Sequence, residues 1–343
     1  MWKSIILFTI RTVLTALPPL FFAIGIYIWL DPFGILDIGK SPSVPSYGIT
    51  SGNKGIVSMR AIENGYDKYS YDSFIFGSSI SIAYPANEWK KYLPTGASPV
   101  HFDSSNEGAG SLKRKIQWLE RKNIAIRNAI IILSPKILEA PLVGTYIPYI
   151  DPPGIAPGIF HTLDWHYKYF KGFASRDFYI SYLPYIINGK PIERTGSWIF
   201  EKQPIVYNSV LNEETLPEWE HLIDTNPDRF YQHHKLPDTS QITPHCSNLH
   251  RLTPDKISAY KEIAHIFNAH GTDFRIIIGP ELDCDTISIS DLRILKNIFG
   301  ADNVYNFSTP SSGIIPDYTD FIDARHYRPR LAKKILERTY STR

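Results

Sequence analysis

The chain begins with a run that has no amphipathic period. Residues 4–30, SIILFTIRTVLTALPPLFFAIGIYIWL, carry a single charge, Arg11, and Thr12–Leu30 carry none. A helix of about 20 apolar residues spans the hydrocarbon core of a bilayer, so the pattern predicts a transmembrane anchor over residues 1–30. Pro18 and Pro19 are tolerated better in such a helix than in a soluble one. The run ends in YIWLDPFG, which suits an aromatic membrane–water belt better than a small-residue cleavage site. Lys3 and Arg11 precede the uncharged stretch and Asp31 follows it. The positive-inside rule then puts the N-terminus in the cytoplasm and the main domain on the periplasmic or extracellular side of the cytoplasmic membrane. No later segment matches this run, so one span is expected.

Residues 31–70 hold Pro32, Pro42 and Pro45 with several glycines and serines, and read as a linker and lead-in. An alternating pattern starts after them. Asp72–Phe76, Pro99–Asp103 and Ala129–Leu133 are short apolar runs, as strands require, and Ser111–Arg121 places Leu112, Ile116 and Leu119 at helical spacing. The alternation lapses over about 140–250, well beyond the usual connection length, and then resumes. Thr253-Pro254 is a helix start and Gly271 a helix stop around the face formed by Ile257, Tyr260, Ile263, Ala264 and Phe267. Phe274–Ile278 is a strand, Asp291–Phe299 a helix, Val304–Phe307 a strand and Pro329–Thr339 a helix. Continuous apolar strands alternating with helices predict an α/β domain over 71–343, with a parallel sheet covered on both faces and a large insertion at about 140–250. Ligands of such sheets bind beyond the carboxyl ends of the strands. The stretches Gly77-Ser78-Ser79, Asn106 to Gly110, Ser134 to Lys136 and Gly279-Pro280 all fall at predicted strand ends.

Composition removes several alternatives. A formal net charge of +2 over 343 residues gives no electrostatic footprint for nucleic acid. The 21 Tyr and 7 Trp beside 26 Pro describe an irregular folded region, since disordered chains are poor in aromatics. Two cysteines, Cys246 and Cys284, lack the CxxC spacing of zinc or redox sites. His233, His234, His245 and His250 show no metal-ligand spacing, so neither metal nor cofactor is expected.

Chemistry enters at the strand ends. DSFIFGSS places Ser79 just past a buried strand, and DYTDFIDARHYRPR places Asp323 and His326 three residues apart before the last helix. A nucleophilic serine needs a base within hydrogen-bond reach, and the base needs an acceptor to fix its tautomer. Each piece has an ordinary reading as well: a turn, a helix start, a surface histidine. Their order along the chain resembles the SGNH/GDSL hydrolase superfamily over residues 70–140 and 250–340. The anchor, the following Asp-Pro and the Gly-Ser-Ser form of the first block are similar to its extracytoplasmic, membrane-anchored members. Those include the D-alanine transfer protein of teichoic acids and the alginate O-acetylation proteins. The resemblance implies a flavodoxin-like three-layer α/β/α sandwich with Ser79 as nucleophile, Ser78 standing where Asp is usual, and Asp323 and His326 completing the triad. It implies an oxyanion hole from the amides of Ser79 and Gly108 (with Gly110 close by). The family's third-block Asn is replaced by LSPK, so Ser134 or Asn106 would have to substitute.

By this reading the protein is a serine acyl-ester enzyme, an O-acetyltransferase or acetylesterase, acting on an envelope or exported polysaccharide. It would work without a cofactor and beside a membrane-embedded acyltransferase partner. The alternative is a non-catalytic polysaccharide-binding or assembly subunit on a degenerate fold. The insertion's Trp165, Tyr167, Tyr169, Phe170, Phe173, Phe178, Tyr179, Tyr182 and Tyr185 would form either a sugar-stacking cleft or, for most of them, the insertion's own core. Cys246 precedes a helix start and Cys284 follows the next strand's end. In an αβ unit these lie on one side of the sheet, and an oxidising compartment then predicts a disulfide between them.

Overall fold

A computed structural model of the chain describes residues 2–36, 53–188, 205–234, 250–282 and 286–341. In chain order the elements are α1 (Trp2–Leu30), α2 (Lys54–Tyr69), β1 (Ser73–Gly77), α3 (Ala86–Trp89), β2 (Pro99–His101), α4 (Ala109–Arg121) and β3 (Asn128–Leu133). They continue with α5 (Ile159–Phe173), α6 (Arg176–Asn188), β4 (Val206–Asn208), β5 (Glu213–Thr215), α7 (Pro217–Thr225), α8 (Pro227–His234) and α9 (Pro254–His270). The last are β6 (Asp273–Ile278), α10 (Ile289–Phe299), β7 (Val304–Asn306) and α11 (Pro329–Tyr340). The chain forms two compact units, one of residues 1–52 with 162–203 and the other of 53–161 with 204–343.

The larger unit is built on a five-stranded, all-parallel sheet in the order β2-β1-β3-β6-β7. The central strands β1 and β3 read as apolar runs because both faces are covered, while β6 carries Arg275 among its apolar residues. Alternate residues of β1 point opposite ways. Ile75 joins Ile130, Ile132 and Ile277 against Leu331, Ile335 and Leu336 of α11. Phe76 instead meets Phe102 and Phe267, and Phe102 meets Trp118 of α4. Each such side chain, fully buried, contributes about 1.5–3 kcal/mol. From β1 the chain moves one way to β2, then returns across β1 to β3. The order therefore reverses beside β1, and the carboxyl end of β1 at Gly77 is a topological switch point.

The βα periodicity read from the sequence matches these elements to within about two residues, the usual uncertainty of helix and strand ends. Thr253 caps α9 through its side chain, and Gly271 closes it at φ 64°. One difference lies before the sheet. Within the segment expected to be connecting chain, Lys54–Tyr69 is a helix, capped by Asn53 and stopped at Ser70 with φ 50°. Its prolines all lie upstream, and Gly55 and Gly65 dilute a buried face that includes Ile56, Met59 and Ile62.

The long insertion is ordered locally over its described residues. The β4–β5 hairpin covers the edge of the sheet: the His101 amide of β2 donates to the Leu211 carbonyl at 3.0 Å, and the Asn212 side-chain amide donates to the His101 carbonyl at 2.9 Å. Covering an edge strand removes a site of unwanted pairing. In the smaller unit Trp165, Tyr169, Phe173, Phe178 and Tyr182 are buried, with Tyr27 and Phe33 among them. Most of the insertion's rings thus form a core, while Tyr167 stays 62% exposed. Helix α1 is long and apolar enough to cross a membrane; at about 1.5 Å per residue it extends about 43 Å. Cys246 and Cys284, together with His245, lie outside the described residues.

Candidate active site

Ser79 leaves the sheet through a turn with little freedom. Gly77 ends β1 at φ +149°, in a region favouring glycine, and a Cβ there would meet the Ile132 carbonyl oxygen at 2.8 Å. The chain then tightens into a short 3-10 helix, Ser79–Ala83, with Ser78 as its buried cap. The Ser81 hydroxyl donates to the Ser78 carbonyl at 2.7 Å and closes the turn. Ser79 is left half-buried at the first position of that helix.

The partner of Ser79 arrives from 247 residues away. His326 Nε2 lies 2.7 Å from Ser79 Oγ. On the other side of the ring, Nδ1 lies 2.8 Å from Asp323 Oδ2 and 2.9 Å from Oδ1. Asp323 Oδ1 also accepts the backbone amides of Arg325 at 2.8 Å and His326 at 2.9 Å. The Asp323 side chain is 54% exposed; its partial desolvation alone would raise the pKa, but the His326 ring and the two amides outweigh it and hold it below the usual carboxylate value. An ionised Asp323 accepts from Nδ1–H and leaves the Nε2 lone pair facing the serine hydroxyl, which donates to it.

The loop carrying these two residues is tied down along its length. Phe321 and Tyr327 form an antiparallel bridge, and the Ile322 amide donates to the His326 carbonyl at 2.7 Å. Both flanking rings are buried, and the Tyr327 and Tyr84 hydroxyls lie 2.8 Å apart. Arg328, 1% exposed, reaches the Thr319 carbonyl at 2.9 Å and also Glu220 at 2.9 Å and Asp224 at 2.7 Å on α7. The Tyr231 hydroxyl of α8 donates to the Phe321 carbonyl at 2.7 Å. The late part of the insertion therefore braces the Asp323–His326 loop. Arg328, Tyr327, Tyr231, Glu220 and Asp224 were not singled out from the sequence. The RHYRPR cluster was the available signal, since an arginine beside a buried aromatic pair needs partners.

The other strand-end loops are linked to each other at the same rim. The Leu282 amide, after β6, donates to the Ala324 carbonyl at 3.1 Å, and the Lys136 amide, after β3, donates to Glu281 Oε1 at 2.9 Å. Ser104, after β2, donates its amide to the Gly77 carbonyl at 3.2 Å.

Of the oxyanion candidates, Gly108 caps α4 and packs so closely on the next loop that a Cβ would lie 1.8 Å from the Pro141 carbonyl oxygen. The amide of Gly110 is occupied, donating to the Leu142 carbonyl at 2.7 Å. No acceptor for the Gly108 or Ser79 amide is found among the described residues. Asn106 is exposed at φ 49° in a turn. Ser134 is buried, and its hydroxyl accepts the Ile137 amide at 3.3 Å within its own loop. Beneath Gly108, Glu107 is 7% exposed and Lys115 Nζ stands 2.8 Å from its Oε1, but outside hydrogen-bond geometry. Burial, reinforced by Asp151 and Asp103 and opposed by Lys115, pushes the Glu107 pKa up to about 8.

Among the described residues no group of three His, Cys, Asp or Glu side chains could hold a metal ion. His250 is paired with the buried Asp291 at 2.5 Å. Comparison of the chain with protein-family models and with curated proteins finds no match.

Proposed function

We propose that the protein is a membrane-anchored, extracytoplasmic serine acyl-ester enzyme of the SGNH type. It would be an O-acetyltransferase or acetylesterase acting on an envelope or exported polysaccharide. One observation carries the reading: Ser79 Oγ, the His326 ring and Asp323 stand in a continuous hydrogen-bonded relay at 2.7 and 2.8 Å. The three come from opposite ends of the chain and meet at the switch point of a parallel sheet. With the β4–β5 hairpin set aside, the strand order 2-1-3-4-5 supports the flavodoxin-like part of the reading. Helix α1, long and apolar enough to span a bilayer, supports the anchor.

The chemistry follows from the atoms. Ser79 Oγ attacks the acyl carbonyl carbon as His326 Nε2 takes its proton. The carbonyl electron pair moves to oxygen, where the amides of Ser79 and Gly108 would receive the charge, with Asn106 as a further candidate donor. Losing one such donor costs about 2.7–4 kcal/mol of barrier. Collapse expels the donor's alkoxide, which takes the proton from His326. Asp323 stays ionised and stabilises the imidazolium. Water attacking the acyl-serine gives deacetylation. A sugar hydroxyl gives O-acetyl transfer, and an anchor favours transfer by keeping the domain beside a membrane-embedded acyl donor.

A binding or assembly subunit on the same fold has no use for an aligned relay, and the hydrogen-bond reach of Ser79 to His326 favours an enzyme. The test is the full chain in detergent with p-nitrophenyl acetate, read by ester turnover and by intact mass. The expected result is an acetyl adduct that maps to Ser79 and disappears in Ser79→Ala, with turnover lost in both Ser79→Ala and His326→Ala. Turnover unchanged in both variants, or an adduct on another residue, overturns the assignment.

A further inference from the structure

The smaller unit holds a second surface suited to lipid. Phe178–Ile187, FYISYLPYII, is ten residues without a charge. It makes up most of α6, which at 13 residues is about 20 Å long and too short to span a core of about 30 Å. A charge-free helical run of this kind, here the ten residues that follow Arg176 and Asp177, belongs in a protein core or in the membrane interface. Helix α6 is not enclosed. Phe178 and Tyr182 are buried, but Tyr179, Ile180, Leu183 and Ile187 are 38%, 49%, 48% and 78% exposed. At 3.6 residues per turn these four fall on one arc, so one face of α6 is apolar and open.

Its place is set by what it packs on. The rings of α5 and α6 close around the last turns of α1 and the residues just after them. Tyr27 packs edge-on or tilted against Phe170 and Phe173 at 5.6 and 5.4 Å, and Phe33 likewise against Tyr169 and Phe178 at 5.3 and 5.5 Å. Tyr27 lies three residues before the end of the uncharged Thr12–Leu30 run. That is the headgroup depth at which tyrosine is enriched. Whatever packs on Tyr27 and Phe33 sits at the same depth. Helix α5 agrees: Trp165, Tyr169 and Phe173 turn inward, Leu163 and Tyr167 are exposed on a second flank, and Asp164 and Lys168 pair on a third.

The geometry points to α6 as a helix lying in the plane of the bilayer surface, with Tyr179, Ile180, Leu183 and Ile187 in the acyl boundary beside the exit of α1. The occupant of this face is lipid. This rests on reading α1 as a membrane anchor, and the test separates the two. The full wild-type chain is reconstituted in phosphatidylcholine–phosphatidylglycerol liposomes holding a phospholipid with a diazirine on its acyl chain. It is then irradiated, and adducts are mapped by peptide mass spectrometry. Adducts are expected on α1 and on the peptide covering 176–188. Leu183→Lys combined with Ile187→Lys should lose the α6 adducts and keep those of α1. Adducts on α1 alone in the wild-type chain overturn the interfacial assignment and leave the anchor standing. Adducts on neither overturn both.

Discussion

Ser79 and His326 meet at 2.7 Å, yet they reach that contact from different kinds of structure. Ser79 stands at the end of a buried strand, on a turn fixed by a glycine whose missing Cβ leaves room for the Ile132 carbonyl. Little there can move without moving the sheet. His326 and Asp323 ride on an irregular loop, with Asp323 exposed and His326 half-buried. That loop is held by a few side chains: Tyr327 to the core, Arg328 to α7 and Tyr231 to α8. One half of the site is set by packing and backbone sterics, the other by individual hydrogen bonds and ion pairs. Substitutions in the first half should therefore register mainly as lost folding stability. Those in the second should register mainly as lost rate in a folded protein.

The largest effect expected under this contrast is Asp323→Asn. Without the carboxylate the imidazole loses its fixed tautomer, and ester turnover should fall by about 10²–10⁴-fold. The melting temperature should change little, because the side chain is exposed. A large drop in melting temperature with modest loss of turnover would invert the contrast. Gly77→Ala is the counterpart on the rigid side. Strain at φ +149° and the 2.8 Å approach to Ile132 should cost about 2–4 kcal/mol of stability, measured by denaturant titration. A variant as stable as the parent would mean that the Gly77–Ser79 turn has slack.

The same contrast explains what could be read from the chain. The strands β1, β3 and β6 and the helices α4, α9 and α11 announce themselves because packing imposes a period and capping residues mark the ends. Ser79 was legible for that reason, standing directly after an apolar run broken by glycine. Asp323 and His326 were legible through local spacing. The braces were not. Arg328 finds Glu220 and Asp224 more than a hundred residues away, and nothing periodic relates them. Helix α2 was missed because Gly55 and Gly65 weaken its pattern, and the site's third-block substitute stays unassigned because Ser134 is engaged within its own loop. The aromatic insertion gave its composition but not its division between the two compact units.

Burial beneath Gly108 gives the rigid side a pH dependence of its own. Glu107 has a pKa pushed up to about 8 in the fold, above its ordinary value of 4.5. Its contribution to stability is therefore fully present below about pH 4.5 and is lost as pH rises through about 8. The parent should lose on the order of a few kcal/mol from this group across that window. In Glu107→Gln, which keeps volume without a titrating proton, the unfolding free energy should be flatter between those limits. Parallel pH profiles for the two proteins would show that Lys115, at 2.8 Å, keeps the carboxylate ionised instead.

The smallest effect probes the brace most cleanly. Tyr231→Phe keeps the ring, which packs edge-on against Phe230 and Tyr318 at 5.1 and 5.3 Å. It removes the hydroxyl that donates to the Phe321 carbonyl. One hydrogen bond of this kind contributes about 0.5–1.5 kcal/mol. If it serves only the fold, stability should fall by that amount and kcat should not change. If it holds the loop in register for catalysis, kcat should fall a few-fold with KM unchanged, because the position of the base matters only when it must take the proton. The position of Tyr231 favours the second outcome: its acceptor, Phe321, is one strand of the bridge to Tyr327, and that bridge sets where His326 begins.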